Sequence, residues 1–204
     1  MSDSNNLMVV DNFYPEPEYI RKMALQSDYQ PTIQSKFMCH CARVDDAVVA
    51  LGLDLITRII GESWRQYFRE SYFVWGTKED EKTTRGNKRW VHYDKESLIG
   101  IVYLNPPEQC FGGTGFYRHK KTRLTHYDEI KAYCADHNLD IEEFMDEGVI
   151  PEAWETVTTV EMKFNRLTLF DPKQLHQSTS HFGDSVSNAR LFQQYVFDRA
   201  TDAS

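Results

Sequence analysis

A histidine and an aspartate separated by one residue are the first candidates for chemistry in this sequence. His92 and Asp94 lie in the segment Trp90–Asp94, which contains the aromatic and β-branched residues typical of strands. Side chains alternate between the two faces of a strand, so the imidazole and the carboxylate should point the same way. Such a pair can supply two ligands to a metal ion, with a third arriving from elsewhere in the chain. Taken alone the tripeptide is a weak signal, because surface residues produce it by chance.

Several motifs further along the chain give this pair a context. They are, in order, Ile-Val-Tyr-Leu-Asn at 101–105, Phe-Gly-Gly-Thr-Gly-Phe at 111–116, Asn-Arg-Leu-Thr-Leu-Phe at 165–170, His176 and Arg190. Each motif is modest, but their joint order resembles the Fe(II)- and 2-oxoglutarate-dependent oxygenases of the prolyl-hydroxylase-like branch. The resemblance covers about 90–198, apart from a helical insert. Two histidines and a carboxylate on one face of an octahedron leave three positions open, as such oxygenases require.

The resemblance implies a role for five residues. His92 and Asp94 would be the near iron ligands and His176 the far ligand. Arg190 matches the basic residue that pairs with the distal carboxylate of 2-oxoglutarate, a contact that suits the planar fork of a guanidinium. Tyr103 matches a tyrosine whose hydroxyl contacts the same carboxylate.

Two of these assignments have alternatives. His181 lies five residues after His176 and is also compatible with the role of far ligand. His176 is favoured because it follows closely on the predicted strand at 166–170. A tyrosine on a strand is often simply a core residue, so Tyr103 has a structural interpretation as well.

The reaction that the resemblance implies is hydroxylation of an unactivated C–H bond of a small molecule. Its cofactors would be Fe(II), 2-oxoglutarate and O2, and its co-products succinate and CO2. Asp94 fills the ligand position that related halogenases leave vacant for chloride, so hydroxylation is favoured over halogenation, with desaturation and cyclisation left open. The alternatives are a peptidyl or prolyl hydroxylase acting on a protein, and a non-catalytic barrel that binds a metal or a small ligand.

Three residues are candidates for substrate contacts. Arg118 and Gln194 are polar residues on predicted strands that should reach the pocket, and Trp90 could form part of its wall. An arginine in the pocket would favour a carboxylate-bearing substrate such as a free amino acid. Packing is the usual role of a large aromatic residue at the start of a strand, so Trp90 also has a structural interpretation.

The elements that must position these residues follow from hydrophobic periodicity. Helical spacing is found at Glu18–Gln26 and again from Asp45 or Asp46 through Phe68. Strand-like segments are predicted at Met8–Phe13, Ser71–Trp75, Arg89–Tyr93, Leu98–Leu104, Gly113–Tyr117, Thr156–Phe164, Arg166–Phe170 and Arg190–Phe197. An acidic helical stretch at about Tyr127–Glu147 ends at Gly148 and Pro151.

This order of elements predicts a mainly β protein with packed helices, of the α+β class. We expect a double-stranded β-helix, a jelly-roll or cupin-like barrel, with the N-terminal helices on the outer face of one sheet. The whole chain, 1–204, would form one domain, with helical support at 1–70 and a barrel core at 71–198. The helical insert, at about 121–152, would be either a lid over the site or a solvated decoration.

Composition and charge limit the partners. The net charge of −8 repels phosphate backbones and argues against nucleic-acid binding. No run approaches the roughly 20 apolar residues that a membrane helix needs. The first residues show no basic region followed by an apolar core, so a cytoplasmic location is expected. The oligomeric state does not follow from the sequence.

The four cysteines, Cys39, Cys41, Cys110 and Cys134, are expected to be reduced thiols in that location. Cys39, His40 and Cys41 could join Cys134 and His137 in a zinc site. Structural zinc sites usually have tighter paired spacings, which favours incidental or buried thiols.

Overall fold

Ten strands and four α-helices form the part of the chain that the computed structural model describes, residues 7–34, 37–78, 80 and 91–199. The strands in these ranges are β1 (Leu7–Val10), β2 (Gln30–Gln34), β3 (Phe37–Arg43), β4 (Phe68–Gly76), β5 (Leu98–Tyr103), β6 (Gly113–His119), β7 (Trp154–Glu161), β8 (Leu167–Phe170), β9 (His176–Ser178) and β10 (Arg190–Phe197). The α-helices are α1 (Pro17–Leu25), α2 (Asp46–Ile60), α3 (Tyr127–His137) and α4 (Ile141–Asp146).

The strands form two antiparallel sheets. The large sheet has the order β1-β8-β5-β10-β4-β3-β2, and the small sheet has the order β7-β6-β9. Phe116 of the small sheet meets Phe170 of the large sheet edge-on, with ring centroids 5.3 Å apart. Ile99 and Val160 complete this cluster, so the inner faces of the two sheets pack against each other.

The N-terminal helices cover the outer face of the large sheet. Ile20 and Ala24 of α1 and Ile56 of α2 are fully or almost fully buried in one core cluster with Phe73 and Leu191 of the sheet. Asp45 begins α2 by accepting a hydrogen bond from the backbone N–H of Ala47 at 2.9 Å. The predicted packing of helices on one outer face is therefore confirmed, and so is the aspartate cap.

A glycine sets how closely α2 approaches the sheet. A Cβ atom on Gly52 would lie 1.7 Å from the hydroxyl oxygen of Tyr195 and 2.6 Å from that of Tyr14. These two hydroxyls hydrogen-bond to each other at 2.5 Å, and Tyr14 also donates to Gln193 Oε1 at 2.8 Å. The small residue thus makes room for a buried polar network between helix and sheet.

The N-terminal 70 residues contain more strand than the sequence predicted. They were expected to be helical support with one strand at Met8–Phe13, which corresponds to β1, but they also contribute β2 and β3 to the large sheet. The prediction that α2 continues through Phe68 is wrong, because Gly61 ends the helix with a φ of 99° and Phe68 opens β4. The hairpin of β2 and β3 was missed, since Gln30–Arg43 lacks a clear alternation of polar and apolar residues.

The barrel strands follow the predictions more closely. β10 has the predicted bounds, and β5, β6 and β8 lie within two residues of theirs. Residues 89–90 of the strand predicted at 89–93 lie outside the described ranges, and His92 forms a single bridge with His176. The helical insert is confirmed as helical and contains α3 and α4. The assignment of 1–204 to one domain stays a prediction.

No helix within the described ranges has both the length and the apolar character needed to cross a bilayer. None of the four cysteines forms a disulfide.

Candidate metal centre

Three side chains from two separate segments converge on the inner side of the barrel. One ligand atom from each of His92, Asp94 and His176 lies within 4.8 Å of the others. The backbone brings the segments together, because His92 N–H donates to His176 O at 3.0 Å and His176 N–H donates to His92 O at 2.8 Å. His92 and Asp94 then share one face of their extended segment, as strand alternation requires.

The orientation of His176 is fixed by the chain around it. Its Nδ1 lies 2.7 Å from the carbonyl oxygen of Gln174. A carbonyl can only accept, so Nδ1 carries the proton and Nε2 is left as a lone-pair donor. Nε2 lies 3.5 Å from Asp94 Oδ2, on the side of the cluster. A ligand histidine anchored through its other ring nitrogen is the usual arrangement in metal sites.

The donor set fits a ferrous ion. Two imidazoles and one carboxylate on one face leave coordination positions open for further ligands. His176 is 6% exposed, and the side chain of Asp94 is 15% exposed, so the cluster is shielded from bulk water but reachable. Among the residues that the structure describes, no second cluster of this kind forms.

The zinc site considered from the sequence is not assembled. Cys39 and Cys41 lie on β3 with their sulfur atoms 3.6 Å apart, in a cluster with Val74. Cys134 is buried on α3 in a different core cluster.

Arg190 is a buried cation whose hydrogen-bonding capacity is only partly used. It is 1% exposed, and its Nε and Nη1 atoms have no hydrogen-bond partner in the structure. Its guanidinium carbon lies 5.2 Å from the centre of the Tyr103 ring. Burial lowers the pKa of Arg190, and the nearby Tyr103 partly offsets this effect. Buried charge normally has a partner, and here two donors of the guanidinium remain available to one.

A short chain of contacts connects Arg190 with the histidine and aspartate cluster. The Tyr103 hydroxyl hydrogen-bonds to Thr114 Oγ1 at 2.8 Å. Thr114 pairs with Ser178 across the small sheet, two residues from His176 on the same strand. Neither Arg190 nor Tyr103 is among the residues that line the cavity beside the ligands, so it is Thr114, on the cavity wall, that links them to the cluster.

The cavity beside the cluster has mostly apolar walls. Apart from the three ligand residues it is lined by Cys39, Val74, Gly76, Ile99, Ile101, Thr114, Phe170, Ser178, His181, Phe192 and Gln194. The aliphatic and aromatic members restrict water, and a few polar groups remain to orient a ligand.

The residues predicted to contact substrate fall in three different places. Gln194 lines the cavity, as expected from its position on β10. Arg118 does not line it, because its guanidinium pairs with Glu155 at 3.0 Å at the end of β6. Trp90 lies outside the described residues. His181 lines the cavity and is 7% exposed, but it is His176 that joins the cluster.

Sequence reasoning missed several cavity residues. Thr114 lies inside the Phe-Gly-Gly-Thr-Gly-Phe motif, where alternation from Phe116 could have assigned it to the inner face. Phe192 lies between Arg190 and Gln194 on the same face of β10, so strand alternation could also have assigned it to the cavity. Cys39 had none, because the strand that carries it was not predicted.

Several solved structures share this architecture. HygX from Streptomyces hygroscopicus, solved with nickel, 2-oxoglutarate and hygromycin B bound, is 12% identical with a TM-score of 0.61, over 97% of this chain and 84% of its own. An oxidoreductase of the 2OG-Fe(II) oxygenase family from Burkholderia pseudomallei is 10% identical with a TM-score of 0.52, over 94% and 85%. IDO from Bacillus thuringiensis is 11% identical with a TM-score of 0.52, over 95% of this chain and 90% of its own. The fold is therefore the double-stranded β-helix of the Fe(II)- and 2-oxoglutarate-dependent oxygenases, as predicted.

Within that fold the chain has a defined family. Residues 1–191 match DUF6445, which is described as a family of unknown function, and the chain belongs to this family. No curated protein matches the sequence at a significant level.

Proposed function

We propose that this protein is an Fe(II)- and 2-oxoglutarate-dependent dioxygenase that hydroxylates an unactivated C–H bond of a small molecule. The observation that carries the proposal is the buried guanidinium of Arg190, whose Nε and Nη1 atoms have no partner and which a short chain of contacts joins to the cluster of His92, Asp94 and His176. Three potential metal ligands alone fit many functions. Three such ligands connected to a buried cation fit a small molecule that chelates the metal at one end and carries a carboxylate at the other.

Each cofactor would have its own residues. His92, Asp94 and His176 would hold Fe(II), while Arg190, beside Tyr103, would donate hydrogen bonds to the distal carboxylate of 2-oxoglutarate. When both are bound they supply oxidative decarboxylation of 2-oxoglutarate by O2 to succinate and CO2, coupled to transfer of an oxygen atom to the substrate. Asp94 would itself be a ligand, which would leave no vacancy for a halide and favours hydroxylation.

The remaining residues of the cavity would position the substrate and limit water. Ile99, Ile101 and Phe170 form an apolar wall close to the metal ligands. Gln194 and His181 offer polar groups at the same cavity, and we propose that they orient the substrate. His176 is held in one tautomer by Gln174, so its Nε2 needs no rearrangement when the metal binds.

A small-molecule substrate is the class that the cavity supports best. HygX, which shares the fold, has been solved with the small molecule hygromycin B bound. The narrower expectation of a carboxylate-bearing substrate rested on Arg118, which pairs with Glu155 and does not line the cavity, so we do not extend the proposal to that substrate class. A cytoplasmic location stays a prediction from the sequence.

Anaerobic spectroscopy tests the proposal directly. Addition of Fe(II) and 2-oxoglutarate to the wild-type protein should give a weak visible charge-transfer band. The band should be absent in His92→Ala and retained in His137→Ala, a matched change at an exposed histidine of α3. If the wild-type protein gives no band and takes up no Fe(II), the barrel is not an oxygenase of this type.

Turnover then identifies the substrate. Succinate formation should be stimulated when the true substrate is added to the enzyme with Fe(II), 2-oxoglutarate and O2. A screen of amino acids and other small metabolites by this readout separates an oxygenase from a barrel that only binds metal, since the latter would never release succinate above background.

A further inference from the structure

The segments that carry the metal ligands have a second face, which the helical insert covers. Val91 and Tyr93 alternate with His92 and Asp94, so they point away from the cavity. Val91 is 3% exposed and is buried in a core cluster with Ile130 of α3. The Tyr93 ring stacks on that of Tyr127, at the start of α3, with centroids 4.2 Å apart and an angle of 28°.

The far ligand is backed in the same way. Leu175, the neighbour of His176, is fully buried at 0% exposure. It belongs to the same cluster as Val91, together with Cys134 of α3 and Met145 of α4. One hydrophobic core therefore lies directly behind the segment that carries His92 and Asp94 and the segment that carries His176.

Backbone hydrogen bonds join the insert to these segments. Leu175 N–H donates to Thr125 O and Tyr127 N–H donates to Lys173 O, each at 2.8 Å. Val91 N–H donates to the carbonyl of Gly148 at 3.2 Å. The stretch 125–127 thus runs beside 173–175 like an additional strand, and 173–175 includes the Gln174 carbonyl that orients His176.

A side-chain contact strengthens this junction. His126 Nδ1 accepts the backbone N–H of Asp128 and so caps α3, which leaves Nε2 facing Asp171 Oδ2 at 3.2 Å. Asp171 also accepts the backbone N–H of Lys173 at 2.9 Å. The start of the insert and the turn before His176 are therefore fixed to each other by side chains as well as backbone.

The insert takes no part in the cavity itself. None of the described residues in 121–152 lines the cavity beside the ligands. The insert lies behind the ligands, with one face packed through Ile130, Cys134 and Met145 and most of its other residues exposed to solvent. Its contacts are with the backs of the segments that carry the ligands.

We propose that the helical insert is a positioning element for the metal centre, with Tyr127 holding Tyr93 and thereby the spacing of His92 and Asp94. The inference rests on the proposed function, because it assumes that these side chains bind Fe(II). Contacts behind metal ligands typically change metal affinity by 10–100-fold when they are removed.

Two tyrosines of α3 make a matched test. Tyr127 stacks on Tyr93, which lies between the ligands. Tyr133 stacks on His137 at 4.1 Å and 25° and packs on the core cluster, rather than on a residue between the ligands. Binding of Fe(II) alone would be measured by anaerobic calorimetry, and thermal unfolding would be measured on the metal-free variants. We expect Tyr127→Ala to weaken Fe(II) binding about tenfold, with Tyr133→Ala within about twofold of wild type. Both variants should lose similar stability.

Conservative variants separate positioning from folding. Tyr127→Phe keeps the stacked ring and should bind Fe(II) like the wild type. If Tyr127→Ala does not fold, Tyr127→Leu, which keeps apolar bulk without the ring, replaces it. Equal affinities for the Tyr127 and Tyr133 variants would overturn the inference and leave the oxygenase proposal standing. Failure of the wild-type protein to bind Fe(II) would overturn both.

Discussion

Two buried polar side chains of β10, Gln193 on the outer face of the large sheet and Arg190 on the inner face, differ in how fully they are hydrogen-bonded. On the outer face, under the helices, Gln193 accepts from Tyr14 at 2.8 Å and donates to Tyr195 at 2.8 Å and to Ser71 at 3.1 Å. On the inner face, Arg190 is equally buried, yet its Nε and Nη1 atoms have no acceptor.

This difference distinguishes buried polar side chains that stabilise the fold from those that bind a ligand. Buried polar groups in native proteins are nearly always hydrogen-bonded, so a complete network such as that around Gln193 stabilises the fold. An incomplete one costs stability and persists where a ligand completes it. The comparison makes opposite predictions for substitutions on the two faces.

The largest effect is expected at Arg190. Arg190→Met keeps the length of the side chain and removes the buried charge, so the metal-free and ligand-free protein should be at least as stable as the wild type. The apparent affinity for 2-oxoglutarate should fall about 100-fold, because a buried charged contact contributes on the order of 3 kcal/mol. Chemical unfolding and the dependence of the charge-transfer band on 2-oxoglutarate measure the two quantities. A destabilised variant with unchanged affinity would assign Arg190 to the core.

An intermediate effect is expected at Gly52, on the outer face, where a substitution should change stability rather than 2-oxoglutarate affinity. Glycine to alanine usually stabilises a helix by about 1 kcal/mol. Here the added Cβ would collide with the Tyr195 hydroxyl, so Gly52→Ala should instead destabilise the protein by about 1–3 kcal/mol, with unchanged 2-oxoglutarate affinity. Urea unfolding checks the sign.

The double variant with Tyr195→Phe sharpens the Gly52 prediction. Removal of the Tyr195 hydroxyl should relieve part of the clash, so the two changes should be less costly together than their sum. Strict additivity would contradict the proposed collision.

The smallest effect is expected for Arg118→Ala, because Arg118 lies on the small sheet and on neither face of the large sheet. The Arg118 side chain is 33% exposed, and its partner Glu155 also pairs with Arg123 at 2.8 Å. We expect a loss of stability below about 1 kcal/mol and turnover at the wild-type level. A large rise in KM for the substrate, measured once the substrate is known, would return Arg118 to the site.

The barrel was more accessible to sequence reasoning than the N-terminal part. β5, β6 and β10 are β-rich segments with turn residues between them, and their bounds were predicted to within two residues. The hairpin of β2 and β3 was not predicted, because its residues lack alternation and its place in the sheet depends on pairing with β4. As a result Cys39, on the cavity wall, was missed.

The sequence by itself determined that His92 and Asp94 share a face, since the period of a strand is local geometry. It also determined that a histidine and an arginine follow in an order that resembles one class of oxygenase. Only the tertiary structure decided that His176 rather than His181 joins the cluster, that Arg118 turns to Glu155, and that the insert lies behind the ligands. These outcomes depend on contacts between segments far apart in the chain, and no local pattern of residues encodes which segments will meet.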